Sequence, residues 1–312
     1  MPGYYAGGQP RSDDGAAVTA DVVVIGSANV DLVMRVERLP LPGETVIGGT
    51  LSRAPGGKGA NQAAAAARLG ARTWLVGMVG DDEPGAWTRA DLEERGVDLS
   101  FLGVGSSATG VAQIWLDEAG ENAIVVASGA NAEVSADLVR TAIERIDARE
   151  AVVLASLEIP EPAVEAAAEA ARARGWPVVL NPAPARPLSP ALLACCAVLT
   201  PNEHEMTELA PDEHALLGSG VGAVVVTRGE RGADLHRAGR EVHHQPAFPV
   251  EVLDTTGAGD AFSAAVAWAL ADGRELEDAV GLAVGAGALA VRAVGARASL
   301  PDRDELERLV AG

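Results

Sequence analysis

Apolar residues in this 312-residue chain gather in short β-branched runs that alternate with longer Ala-rich stretches. Residues 22–25, between Asp21 and Gly26, are apolar at successive positions, a pattern that predicts a strand buried on both faces. Comparable runs lie at 73–79, 151–157, 177–180, 197–199 and 223–227. Between them, 83–95, 135–146 and 161–174 carry helical patterns, the second behind Ser135 as N-cap. That alternation predicts an α/β fold with a mostly parallel central sheet covered by helices on both faces. Segments 32–39 and 44–53, joined by Pro40-Leu41-Pro42-Gly43, are less apolar than the core runs. With a hairpin of 111–117 and 122–127 around 118–121, they predict a small β lid from about 30–53 and 111–127. After 227 the pattern predicts two short strands and two long Ala-rich helices. The first of these contains 261–270, apolar almost all round and therefore buried.

Two Gly-rich turns interrupt this pattern. Pro55-Gly56-Gly57-Lys58-Gly59-Ala60-Asn61-Gln62 opens an Ala-rich helix at 63–69, with Asn61 in its first turn. Bare backbone at a helix N-terminus suits an anion or a hydroxyl-bearing ligand, because the N–H groups there lack intrahelical acceptors. Neither a P-loop frame nor a dinucleotide fingerprint fits the turn. The second turn, Leu253-Asp254-Thr255-Thr256-Gly257-Ala258-Gly259-Asp260-Ala261-Phe262, places Asp260 at the mouth of such a helix. A carboxylate there repels phosphate but can take a proton from a hydroxyl that attacks phosphate. Taken alone, the stretch is better described as an Asp-capped helix after a Gly-rich turn. Asn29, Asp31, Glu158, Asn181, Asn202, Glu205 and Thr227 follow the C-terminal ends of predicted core strands, where open α/β sheets place ligands. Any one of them can be a cap or turn residue; their clustering is what points to a site.

Composition narrows the partners. Lys and Arg number 24 against 44 Asp and Glu, a net charge of −20, which repels nucleic acid and anionic lipid. An anionic substrate then needs a locally favourable site, which the two Gly-rich turns offer. No apolar run reaches membrane-spanning length. Residues 1–20 lack a basic start and an apolar centre, and read as a disordered leader rather than a signal peptide. The adjacent Cys195 and Cys196 read as reduced thiols, in keeping with the cytoplasm. No Cys/His spacing suggests zinc, and His243-His244 reads as a solvated pair near a strand.

From about 21 to 309 the chain resembles the ribokinase/PfkB-like carbohydrate kinases. Its two signatures stand at Gly56-Gly57-Lys58-Gly59-Ala60-Asn61-Gln62 and Asp254-Thr255-Thr256-Gly257-Ala258-Gly259-Asp260. Three further segments look like the ribokinase branch: Gly26-Ser27-Ala28-Asn29-Val30-Asp31, Gly120-Glu121-Asn122 with Gly129-Ala130-Asn131, and Asn181-Pro182-Ala183-Pro184-Ala185. The resemblance implies a three-layer α/β kinase domain over 21–312 with a β-sheet lid, and ATP-dependent phosphorylation of D-ribose at its 5-hydroxyl. It implies Asp260 as general base, with the N–H groups of Gly257, Ala258, Gly259 and Asp260 as an anion hole. Asn29, Asp31, Gly57, Lys58, Asn61 and Glu158 match sugar-contacting positions. Asn202, Thr227, Arg228, Gly229, Glu230, Arg231, Gly232, Gly259 and Val284 fall beside ATP. The resemblance further implies Mg²⁺ with the ATP, met by Glu205 largely through water. It implies K⁺ at a loop of Asp254, Thr256, Ala290, Ala293, Gly295 and Ser299, and a homodimer formed through the lid.

Two departures stand out. Val284 occupies a position where a polar residue is common near the nucleotide, and the stretch 203–222 is short. Two other functions fit the same residues: a kinase of this fold with another acceptor (2-deoxyribose, another sugar or a nucleoside), and a sugar-binding regulator without catalysis. Asp31 discriminates the first, if it meets the vicinal hydroxyls of ribose. Intact Asp260, Asn202 and Glu205 argue against the second.

Overall fold

The computed structural model describes residues 20–117 and 122–312. The leader read at 1–20, apart from Ala20, and the hairpin turn at 118–121 lie outside the described residues. Along the chain, β1 (Asp21–Ile25) leads into β2 (Asn29–Arg35) and β3 (Leu51–Gly56), and α1 (Lys58–Arg68) returns to β4 (Arg72–Gly80). Next come α2 (Glu83–Glu94), β5 (Val97–Asp98), β6 (Leu102–Gly105), the hairpin β7 (Gly110–Leu116) and β8 (Asn122–Ala127), and α3 (Ala136–Arg145). The second half runs β9 (Val152–Ser156), α4 (Glu161–Ala173), β10 (Val178–Asn181), α5 (Pro190–Leu193), β11 (Val198–Leu199), α6 (Glu203–Leu209) and α7 (Glu213–Gly218). It continues with β12 (Ala223–Thr227), β13 (Ala233–His236) and β14 (His243–Gln245), and closes with α8 (Ala258–Ala271), α9 (Leu276–Ala290) and α10 (Arg303–Val310).

The large sheet runs β14-β13-β12-β11-β10-β9-β1-β4-β5, with β6 also on β4. It is parallel from β12 to β6 and antiparallel only at β13 and β14. Its apolar runs explain the two helical layers. Val22 and Val24 of β1, Leu154 of β9 and Val225 of β12 face one core, shared with α1, α8 and α9. Their neighbours Val23, Ile25, Val153, Val224 and Val226 face the other, shared with α3 and α4. Successive strand residues point to opposite faces, so a strand buried on both sides has to be apolar at every position. α8 is buried along most of its length, with Trp268 among the largest fully buried side chains, which accounts for its lack of a polar face.

The lid is a separate four-stranded sheet, β3-β2-β7-β8. Its hairpin follows the expected segments to within a residue. The N-terminal half differs: 44–53 is not one strand, and β3 starts only at Leu51. Gly48 and Gly49 explain this, because glycine disfavours extended pairing. Asn29 and Asp31 accordingly lie in lid strand β2, not in a turn after β1. The β5 and β6 strands and α5 carry too few residues to be expected from sequence, and the amphipathic α10 lies beyond the last predicted helix. His243 and His244 belong to β14, and His244 Nδ1 lies 2.6 Å from Asp234 Oδ1.

Lid and core meet where α1 starts against the turn after β1. A Cβ on Gly59 would lie 2.6 Å from Gly26 Cα and from Ser27 N, both backbone atoms that cannot step aside. Gly59→Ala is expected to lower the unfolding free energy by about 1–3 kcal/mol. Gly218→Ala at the end of α7, where nothing lies within 4 Å, is expected to be near neutral. Urea midpoints for the two variants, at unchanged slope, check the contrast.

Candidate active site

The two Gly-rich turns face each other across the sheet edge. Gly57, with φ 86°, caps α1, and Gly57 and Gly59 let this turn pack against residues 26–29 with no Cβ in the way. Gly257, with φ 80°, caps α8. In this left-handed region an L side chain would be strained, and a Cβ there would also meet Ala296 at 2.7 Å. Asp260, in the first turn of α8, is 6 % exposed. Its Oδ2 accepts from Asn61 Nδ2 at 2.9 Å and its Oδ1 from Gln62 Nε2 at 3.1 Å. Burial pushes the carboxyl pKa above its ordinary value, against the pull of Lys58 and of the Asn61 bond. The first N–H groups of α8 have no intrahelical acceptor. Ala258 is the exception to an all-backbone cradle, since its N–H donates to Thr255 O at 3.2 Å. Gly259 faces open space.

A polar cluster lines the α1 side. Glu158 Oε2 accepts from Ser27 Oγ at 2.5 Å and from the Lys58 N–H at 3.0 Å. Asn29 Oδ1 accepts from Asn131 Nδ2 at 2.7 Å, an approach that only a glycine at 110 permits. Asn131 in turn accepts from the Ala28 N–H at 2.9 Å. Asp31 lies against Gly56, where a Cβ would come within 2.1 Å of its Oδ1. Burial, reinforced by Glu158, raises Asp31 to about 6. Lys58 is half-buried. Desolvation works against its charge, but Asp260, Glu158, Glu205 and Asp31 outweigh it and raise its pKa.

Beyond α8 lies a cavity of about 530 Å³ lined mostly by apolar atoms from 247–252, Phe262 and α9. Thr227, Gly229, Glu230, Gly232, Gly259 and Val284 line it. Arg228 and Arg231 do not. Arg228 pairs with Asp234 at 2.5 Å and Glu203 at 2.7 Å, and Arg231 also binds Glu203 at 2.5 Å. Asn202 is not a cavity residue either; it caps α6 in a reciprocal capping box with Glu205, each accepting from the other's backbone N–H at 2.8 Å. Burial raises the Glu205 pKa.

Asp254 organises the loop behind the cradle. Its Oδ1 accepts from Thr256 N at 2.9 Å and Thr256 Oγ1 at 2.7 Å, and its Oδ2 from Gly295 N at 2.8 Å. Ser299 Oγ donates to Ala290 O at 2.6 Å. Asp254, Thr256, Gly295, Ala290 and Ser299 are thus tied together in two bonded groups, with Ala293 on the same segment.

Several contributors carry no motif. Ser263 Oγ donates to Gly259 O at 2.9 Å and meets Thr200 Oγ1 at 2.9 Å and Asn181 Nδ2 at 3.2 Å, so the ends of β10 and β11 dock the start of α8. Arg297 is buried and bonds Asn61. Its only signal in sequence is a lone charge among small residues after α9. Cys195 and Cys196 are both free. Among the described residues no helix is long and apolar enough to cross a membrane.

Residues 19–303 match the family described as pfkB family carbohydrate kinase. Over 294 residues the chain is 41 % identical to a ribokinase of Bacillus subtilis (strain 168), covering 93 % of this chain and 99 % of that protein. It is also 34 % identical over 304 residues to a deoxyribokinase of Salmonella typhi, with 93 % and 99 % covered. A structure of Arabidopsis thaliana ribokinase complexed with ribose and ATP superposes with TM-score 0.84 at 34 % identity, over 94 % of this chain and 99 % of that one.

Asp31 gives a stability test. Its pKa is about 6 in the folded chain, against an ordinary 3.8, so the folded state binds the extra proton between these values. Its contribution to stability is therefore lost as pH rises through that window. Asp31→Asn is expected to remove this component of the pH dependence, measured by chemical denaturation between about pH 4 and pH 7. An unchanged slope contradicts the shift.

Proposed function

The chain belongs to the pfkB family of carbohydrate kinases, and on that premise we propose that it transfers the γ-phosphate of ATP to the 5-hydroxyl of D-ribose, giving ribose 5-phosphate. The observation that carries this reading is the buried Asp260 carboxylate beside the unpaired N–H groups of α8. Asp260 takes the hydroxyl proton as the sugar oxygen bonds to phosphorus, and the bond to the β-phosphate breaks with its electron pair leaving on ADP. N–H groups of Gly257, Gly259 and Asp260 stabilise the phosphoryl charge, with Ala258 contributing less because of its bond to Thr255. Asn29, Asp31, Gly57, Lys58, Asn61 and Glu158 hold the sugar. The Asn29 oxygen is already taken by Asn131, so its amide N–H groups are left to donate to a hydroxyl.

The nucleotide lies against the apolar cavity, where Val284 supplies packing. Bound Mg²⁺ neutralises phosphate charge, and Glu205 meets it through water with the carboxylate oxygen that the capping box leaves free. The K⁺ loop is read from its donor set. Asp254 and the carbonyls of 290–299 are hard oxygen donors, and Asp254 Oδ2 has one backbone donor and a lone pair to spare. Closing of the lid over the sugar excludes water as a competing acceptor. Exposed Leu51, Ile124, Val125 and Val126 support dimerisation through that lid, and the two free cysteines support a cytoplasmic setting. The kinase domain is taken as 21–312.

Similarity to a deoxyribokinase makes 2-deoxyribose the alternative acceptor. Coupled ADP release across a sugar panel decides between them. Turnover is expected to require ribose and Mg²⁺ and to rise with K⁺. The kcat/KM for 2-deoxyribose is expected to fall by about 100-fold or more, because a site paired to a hydroxyl rejects an analogue lacking it. Comparable efficiencies favour the alternative, and no ADP release with any sugar contradicts the kinase reading.

A further inference from the structure

Arg297 lies between the α9 loop and α1, with a side chain only 3 % exposed. Burying a guanidinium is unfavourable unless its nitrogens find acceptors. All three nitrogens do, on three different elements. Nη1 donates to Asp91 Oδ2 of α2 at 2.5 Å, and Nη2 to the Gly56 carbonyl at the end of β3 at 2.9 Å. Nε donates to Asn61 Oδ1 of α1 at 2.8 Å. Asp91 is shared with Arg95, whose Nε donates to Oδ1 at 3.0 Å, so two guanidiniums draw on one carboxylate.

The third bond has a chemical consequence. A guanidinium is donor-only, so whichever end of the Asn61 amide faces Arg297 must be the oxygen. The NH₂ end is then turned towards Asp260, where it donates to Oδ2 at 2.9 Å. Turned the other way, the amide would set oxygen against carboxylate and NH₂ against guanidinium, two repulsive contacts in place of two bonds. The same arginine fixes the Gly56 carbonyl, one residue before the α1 cap and beside Asp31.

We propose that Arg297 is a positioning residue that locks the Asn61 amide in the orientation that donates to Asp260. It holds the base ionised without touching it or the sugar. This inference rests on the reading of Asp260 as general base. The charged groups around Asp260 are Lys58 of α1, Glu158 after β9, Asp31 of β2 and Glu205 of α6. Arg297→Met also removes a buried charge that lowers Asp31, so the Asn61 bond is read from Arg297→Lys, which keeps that charge but loses the rigid fork.

The test is the pH profile of kcat in Arg297→Met and Arg297→Lys, with and without Asn61→Leu. A donated hydrogen bond favours the charged carboxylate, so its loss moves the acid limb of kcat upward, by about one pH unit in Arg297→Met. Below that limb kcat falls by about tenfold, with a smaller change in ribose KM. Arg297→Lys keeps the buried charge opposite Asp91 and one donor within the pocket, so it folds even if the Met variant does not and shows an intermediate shift. In the Asn61→Leu background, which already lacks the amide, Arg297→Lys adds no further shift. A limb unmoved in a folded Arg297 variant, or shifts that add in the double variant, overturns the proposal. A wild-type profile with no acid limb counts instead against Asp260 as base, and separates that failure from the other.

Discussion

Asp260 has to be anionic in a place that water barely reaches, and much of the surrounding structure follows from that constraint. A buried carboxylate left to itself takes up a proton, because desolvation penalises the charged form. Here the opposing pull comes from the nearby charge of Lys58 and from two side-chain amides, those of Asn61 and Gln62. No arginine or lysine forms an ion pair with it among the described residues. A tight salt bridge would hold the carboxylate too firmly ionised to accept a proton, whereas amides leave it basic. The fold supplies rigid supports for those amides. α1 is anchored by the close packing of Gly59 on Gly26, and α8 by Ser263 on the ends of β10 and β11.

Much of this was legible in the chain. Core strands buried on both faces are apolar at every position, and β1, β9, β10 and β12 were therefore placed to within a residue or two. The two Gly-rich turns are readable because glycine is required where a Cβ would come within 3 Å of a neighbour or φ is positive, as at Gly57, Gly59 and Gly257. The lid was harder. Its strands pair partly through exposed residues, so the expected strand 44–53 overlaps β3 only at its last three residues. Arg228 and Arg231, expected beside a nucleotide, are ion-paired with Glu203 and, for Arg228, Asp234, pairings that no sequence pattern shows. Asn202 and Glu205, set three apart before a helix, satisfy each other's backbone N–H groups and leave one Glu205 carboxylate oxygen free.

What sequence could not supply was the long-range polar network. Asn61 and Asp260 are 199 positions apart, Asn29 and Asn131 are 102 apart, and Arg297 and Asn61 are 236 apart. Each partner alone fits a cap, a turn or a solvated surface residue. Only the parallel sheet, by carrying successive strand ends to one edge, makes them neighbours.

The central claim is that Asp260 serves chemistry and not merely the folding of α8. Asp260→Asn keeps the size of the side chain and its place in the site but cannot accept the proton. Turnover and ribose binding, measured side by side by coupled ADP release and by calorimetry, separate the two roles. The account predicts a fall in kcat of about 10²–10⁴-fold with ribose binding retained. A variant that turns over within a few-fold of the wild type contradicts it.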